Sequence, residues 1–208
     1  MRKVGAIILA AGGSFRFGQP KQLLSFRDKT LVRAMVDAAC EAGCSPIVVV
    51  IGSDWEKIHA ELAQANVIEV QNKNWQRGIG SSIRSGVEAL TDHAPDIEAV
   101  LLLVCDQPAV DARLIERLIA MHEATRKDIV ASGYANTLGV PALFARSLFK
   151  ELLSLSNEVG AKSIILQNPE RVAELAFPEG AIDIDTCEDW EKLNRLGHPE
   201  RNEGYQVS

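Results

Sequence analysis

A chain of 208 residues with 47% apolar residues is long enough to fill one sizeable core and short for two. Its formal net charge of −6 argues against a nucleic-acid or anionic-membrane partner, since either favours a basic surface. Cys40, Cys44, Cys105 and Cys187 form no CxxC pair and have no histidine at zinc-ligand spacing, so neither a disulfide framework nor a structural zinc is indicated, and a reducing cytoplasm is the expected compartment.

Arg2 and Lys3 followed by an apolar run to residue 11 have the outline of a signal peptide, but the run is short and leads into Gly12, Gly13 and basic residues. A buried first strand at 4–10 accounts for it, and no run is long enough to span a bilayer. Further strands are predicted at 46–52, 67–70, 99–104 and 128–131, with later ones at 140–144 and 181–185. Between them lie helical patterns. One covers 31–42 and stops at Gly43. A capping box, Ser53-Asp54-Trp55-Glu56, opens another to about residue 64. The Asn74 to Ser82 stretch leads into a helix running to about Leu90. Asp111 precedes a period that puts Leu114, Ile115, Leu118 and Ile119 on one face. Thr186-Cys187-Glu188-Asp189 is a second capping box, opening a last helix with Trp190 and Leu193 inward. Residues 1–197 are expected to form one catalytic domain and 198–208 a polar tail. The alternation predicts an α/β fold, a three-layer, doubly wound, mostly parallel sheet, in which ligands bind at the carboxyl ends of strands.

The residues after those strands carry the chemistry. Leu9-Ala10-Ala11-Gly12-Gly13-Ser14 lets backbone approach a ligand closely and offers N–H groups to phosphate oxygens, while Arg16 and Lys21 add positive charge. The Walker A pattern fails because Gln19-Pro20 stands where Lys-Ser/Thr is required, and GxGxxG is absent. Gly78, Gly80, Ser81 and Ser82 fit either ligand contact or a glycine-rich turn with a serine cap. Asp106 follows the most apolar strand, where a carboxylate needs a partner, either a hard divalent cation or a turn to cap. Asp183 and Asp185 stand at i and i+2, on one face of an extended segment. Lys162 alone reads as a solvated helix residue. The histidines, His59, His93, His122 and His198, fall on helix surface, loop and tail with no nucleophile pattern beside them. Trp55 and Trp190 read as helix anchors, and Trp75 as buried or stacked beside a ligand.

The string LAAGGSFRFGQPK resembles the LAAGxSxRxGxxK signature of nucleotidyltransferases similar to molybdenum cofactor cytidylyltransferase, the MobA-like NTP transferase family. The likeness runs from about Val4 to Leu196. It implies a nucleotide-diphospho-sugar transferase-like Rossmann-type fold, with Leu9, Ala10, Ala11, Gly12 and Gly13 wrapping the nucleotide and Arg16 and Lys21 acting on its phosphates. The family's GMGSSI stretch implies base and sugar contacts for Gly78, Gly80, Ser81 and Ser82, with Ile79 in place of Met. By the same resemblance Asp106, in Cys105-Asp106-Gln107-Pro108, is catalytic and holds Mg²⁺, completed by Asp183 or Asp185, with Asp183 preferred. Lys162 would hold an acceptor phosphate where the family carries Arg, and Asn157-Glu158 stands where Gly-Asp is usual. The activity implied is transfer of CMP from CTP to the terminal phosphate of molybdopterin, releasing pyrophosphate, with a molybdoenzyme or its chaperone downstream. Ala11, where guanylyltransferase relatives show LAGG, would narrow the pocket toward a pyrimidine. The alternatives are another NTP, another small phosphorylated acceptor such as a sugar or alcohol phosphate, or a non-catalytic nucleotide-binding accessory protein.

Overall fold

The apolar segment VGAIILA forms the central strand β1 (Val4–Ala10), and it is flanked on both sides. The computed structural model describes residues 3–13, 19–182, 184, 186 and 188–191. A two-residue hairpin follows, β2 (Ser25–Phe26) and β3 (Lys29–Thr30), turning through Arg27 and Asp28 at φ 52 and 65. Two successive positive φ values are the type I′ geometry that matches strand twist. Then come α1 (Leu31–Glu41), β4 (Ile47–Ile51), α2 (Trp55–Leu62), β5 (Ile68–Gln71), α3 (Ile79–His93), β6 (Ala99–Val104), α4 (Ala112–Thr125), β7 (Ile129–Tyr134), β8 (Thr137–Ala145), α5 (Phe149–Leu153), α6 (Lys162–Gln167) and β9 (Val172–Ala176).

Seven of these strands make one sheet in the order β5-β4-β1-β6-β8-β7-β9. All neighbouring pairs are parallel except β8, which runs antiparallel to β6 and β7. Helices cover both faces, as a sheet whose strands are apolar throughout requires. Val32, Met35, Ile58, Leu62, Leu114 and Leu118 from α1, α2 and α4 pack on one face. Ile83, Val87, Leu90, Phe149, Leu152 and Ile164 from α3, α5 and α6 fill the other. The expected three-layer fold is therefore the observed one. Among the described residues no helix is long and apolar enough to cross a membrane.

Helix ends explain most boundaries. Thr30 Oγ1 accepts from Arg33 N–H at 3.2 Å to start α1. Gly43 ends it at φ 79, with Gly43 N–H donating to Cys40 O and Cys44 N–H to Ala39 O, a Schellman stop. The 186–189 capping box is formed: Asp189 N–H donates to Thr186 Oγ1 at 3.2 Å and Thr186 N–H to Asp189 Oδ2 at 3.0 Å. Trp190 then meets Phe26 edge-on at 6.3 Å, and Leu193 lies outside the described residues.

Three expectations are corrected. The box at Ser53–Glu56 does not form, because Asp54 enters α2 in a left-handed conformation (φ 54) and its carboxylate pairs with Lys57 instead of a backbone N–H. Residues 181–185 make no strand among those described: Pro178–Ala181 is a 3-10 turn, and Ile184 buries itself with Leu24, Phe26 and Leu31. The sheet takes β9 there instead, whose half-exposed alternation gave a weak sequence signal. His122 is buried, its Nδ1 2.8 Å from Lys127 O, because it sits on the inner face of α4. His59 and His93 are exposed as expected, and His198 is outside the described residues.

Asp111 Oδ1 accepts from Leu114 N–H at 2.8 Å and caps α4. Asp111→Ala should therefore lower unfolding free energy by about 1 kcal/mol, measured by urea titration.

Candidate active site

Strands β1 and β6 lie side by side and parallel, Leu9 opposite Val104, so the segments that follow them leave the sheet at the same edge. From β1 the chain proceeds outward to β4 and β5, and from β6 it proceeds the other way to β8, β7 and β9. A crevice opens where the winding reverses, the usual place for a ligand in an open α/β sheet. A cavity of about 190 Å³ is found there. Its lining includes Leu9 at the end of β1, Ala11 and Gly12 just after it, Lys21 and Gln22 farther along that connection, and Cys105 and Asp106 after β6. Trp75, Gly78, Ile79 and Ser82 close it from the start of α3.

Lys21 Nζ donates to Asp106 Oδ2 at 2.6 Å, across 85 residues of sequence. Both side chains are largely but not wholly buried, with 19% and 26% exposure, so the pair remains within reach of a ligand entering the cavity. Ala10 and Gly13 are not part of the lining. Ala10 is wholly buried, and its carbonyl accepts from Gln22 Nε2 at 3.0 Å. Among the described residues a Cβ on Gly12 would meet nothing within 4 Å, so none of them demands a glycine there.

The second glycine motif behaves differently. A Cβ on Gly78, at φ 121, would lie 2.4 Å from Asn157 O, and one on Gly80 would lie 2.0 Å from Ser156 O. Gly80 N–H donates to Asn157 O at 2.8 Å. These glycines admit the chain's own 156–159 turn, and Gly78 also lines the cavity. Arg84 locks that turn from α3, donating to Leu155 O and to Asn157 Oδ1 at 2.5 Å. Ser81 and Ser82 are both 4% exposed, and Asn72 Nδ2 donates to their hydroxyls at 2.9 and 3.0 Å. Ser82 lines the cavity, whereas the Ser81 hydroxyl donates to Gly78 O at 2.8 Å and faces the other side of the helix start. Gly80→Ala should destabilise the fold by about 1–3 kcal/mol through overpacking, read as a lower urea midpoint.

Lys162 begins α6, is exposed, and does not line the cavity. Arg16, Asp183 and Asp185 lie outside the described residues. Ile184, between the two aspartates in sequence, donates its N–H to Asp106 O at 3.1 Å. Among the described residues no three His, Cys, Asp or Glu side chains cluster to hold a metal ion. Among the described residues Asp106 is the carboxylate that lines the cavity. Gln22, Asn72 and Arg84 were not anticipated; a polar residue next to Lys21, or directly after a strand, was the available signal.

Cys105 lines the cavity floor, and burial, with the Asp106 carboxylate adding to it, pushes its thiol well above the ordinary range. Burial pushes Cys44 up to about 12. Both stay protonated near neutrality and are poor nucleophiles. Of Cys40, Cys44 and Cys105 in the native protein, only the exposed Cys40 should be alkylated rapidly by iodoacetamide at pH 7.5, as checked by peptide mass mapping.

Residues 6–172 match the MobA-like NTP transferase domain. The chain belongs to this family. It is similar to nicotine blue oxidoreductase of Paenarthrobacter nicotinovorans (28% identity, covering 91% of this chain and 96% of that protein) and to molybdenum cofactor cytidylyltransferase of Escherichia coli (25%, 91% and 95%). It is also similar to the bifunctional protein GlmU of Syntrophotalea carbinolica at 33% identity, where 77% of the chain spans about a third (34%) of that protein. Among solved structures, Rv0371c of Mycobacterium tuberculosis superposes with a TM-score of 0.79 at 30% identity, covering 93% of this chain and 98% of that one. The same protein in complex with manganese gives 0.75 at 27%, again covering 93% and 98%. As a family member the chain is a nucleotidyltransferase of the MobA-like kind.

Proposed function

We propose that this MobA-like transferase moves CMP from CTP to the terminal phosphate of a molybdopterin-type acceptor and releases pyrophosphate. The observation that carries the catalytic reading is the meeting of Lys21 and Asp106 at 2.6 Å in a cavity floored by the glycine loop. The open space at Gly12 supports it, because none of the described residues demands a glycine there and a ligand lying against the backbone would. Similarity to molybdenum cofactor cytidylyltransferase along 91% of the chain supports the choice of base and acceptor.

An acceptor phosphate oxygen attacks the α-phosphorus of the nucleotide in line. The bond from that phosphorus to the bridging oxygen breaks, and its electron pair leaves with pyrophosphate. No covalent enzyme intermediate is required, which suits a cavity where the Cys105 thiol is held protonated. Lys21 neutralises charge that builds on the phosphoryl oxygens, with Arg16 proposed beside it, so catalysis is positioning plus electrostatic stabilisation. Asp106 fits a hard cation: Mg²⁺ is commonly held by one or two carboxylates together with substrate phosphates, and one carboxylate stands here. Asp183 or Asp185 is proposed as the second, since Ile184 between them is bonded to the Asp106 backbone. A divalent ion held there would supply further neutralisation of the triphosphate, and the manganese complex of Rv0371c supports that reading. Lys162, exposed at the start of α6, is proposed to meet the acceptor phosphate as a point charge.

The test is incubation with CTP or GTP, Mg²⁺ or Mn²⁺, and purified molybdopterin cofactor, with product mass and pyrophosphate both measured. An adduct heavier by CMP is expected. A GMP adduct would reassign the base, and a product only with sugar or alcohol phosphates would reassign the acceptor. Nucleotide binding without turnover would make the chain an accessory protein. Lys21→Met and Asp106→Asn should each lower turnover by about 10²–10³-fold while the protein stays folded. Gly12→Ala should leave the melting temperature unchanged and weaken CTP binding in calorimetry, the opposite of Gly80→Ala.

The likeness to nicotine blue oxidoreductase favours a second reading, a redox reaction on a nucleotide held in the same cavity. It predicts oxidation of NADH or NADPH, followed at 340 nm, with a quinone-type dye and no pyrophosphate.

A further inference from the structure

We infer that Gln22 is the positioning residue that aims the glycine loop at a triphosphate. It sits in the 3-10 turn Lys21–Leu23, only 2% exposed, and its Nε2 donates to Ala10 O at 3.0 Å and Gly12 O at 2.8 Å. Both N–H bonds of the amide are thereby committed. The two carbonyls also decide which end of the amide is nitrogen, because the reversed amide would set oxygen against oxygen. Its Oε1 is consequently buried with no hydrogen-bond partner among the described residues. A buried acceptor without a donor is costly, and an apolar side chain of the same length would avoid that cost. What Gln22 contributes is therefore the pair of bonds from its nitrogen.

Those bonds set the direction of the loop's donors. The cis peptides of the described chain are at Ser45-Pro46 and Val140-Pro141, so the peptides after Ala10 and after Gly12 are trans. In a planar trans peptide the N–H points opposite to its own carbonyl. Tying Ala10 O and Gly12 O to Gln22 turns the N–H groups of Ala11 and Gly13 away from that turn, on either side of the unobstructed Gly12. Two N–H groups turned the same way by alternate peptides form the kind of concavity that holds a phosphate. The same three-residue turn carries Lys21 to Asp106, so one element delivers the cation and shapes the backbone cradle.

This role rests on the triphosphate site proposed above, and the experiment separates the two. Dissociation constants of CTP and of inorganic tripolyphosphate are measured by calorimetry for the wild type, Gln22→Leu, Gln22→Met and Lys21→Met, over a salt series. Both Gln22 variants should melt within a few degrees of wild type yet bind both ligands roughly tenfold more weakly, the loss expected for a hydrogen-bonded arrangement. Their salt dependence should match the wild type, because no charge is removed, whereas Lys21→Met should flatten it. In ligand-free ¹⁵N spectra the amide signals of Ala11 and Gly13 should move in both Gln22 variants. A wild type that binds neither ligand overturns the triphosphate reading itself. A binding wild type with unchanged affinities and amide shifts in the Gln22 variants overturns the role of Gln22 alone. If Gln22→Leu does not fold, Gln22→Met carries the test, and failure of both to fold overturns the role by making the amide a fold-stability group.

Discussion

The parallel pairing of β1 with β6 is the constraint on which the site depends. Strands that run the same way side by side release their following segments at the same edge, so a loop near residue 12 and a carboxylate at 106 become neighbours without any contact designed between the intervening ninety residues. The pairing holds because both strands are apolar on both faces and are covered by helices on both faces, which leaves no register in which a side chain could face water. The reversal of winding between them then keeps that edge open.

Within this frame the Lys21–Asp106 pair is a poor source of stability. Desolvating two charges offsets most of their attraction, and solvent still reaches both. Its value lies in placement: a cation and a carboxylate are held in a cavity whose walls are otherwise mainly apolar side chains and backbone. Cys105, buried beside them and protonated, adds bulk without a competing nucleophile.

The two glycine motifs look alike in sequence and meet different surroundings. Gly78 and Gly80 are needed by the protein, because the 156–159 turn rests on them and Arg84 holds it there. A Cβ on Gly12 would meet nothing among the described residues. The distinction also gives the departure at Asn157 a physical meaning: its side chain accepts from Arg84 and its carbonyl from Gly80, so it anchors the wall of the cavity rather than reaching into it.

Periodicity and end signals made much of this legible beforehand. The runs at 4–10 and 99–104 are strands with those limits, Asp111 and Gly43 bound helices as their chemistry dictates, and the residues following β1 and β6 do line the crevice. These features are local: a buried strand, a cap and a stop are each decided by a few neighbouring residues. The left-handed start at Asp54, the weakly alternating β9 and the inward His122 escaped, because each is settled by what packs against it. The same holds for the site. Residue types announced a lysine and an aspartate with chemical purpose, but only the folded chain decided that they touch, that Ser81 turns away from Ser82's cavity, and that a buried glutamine holds the loop between them. Contacts across 85 residues are set by sheet order and register, which no stretch of sequence carries alone.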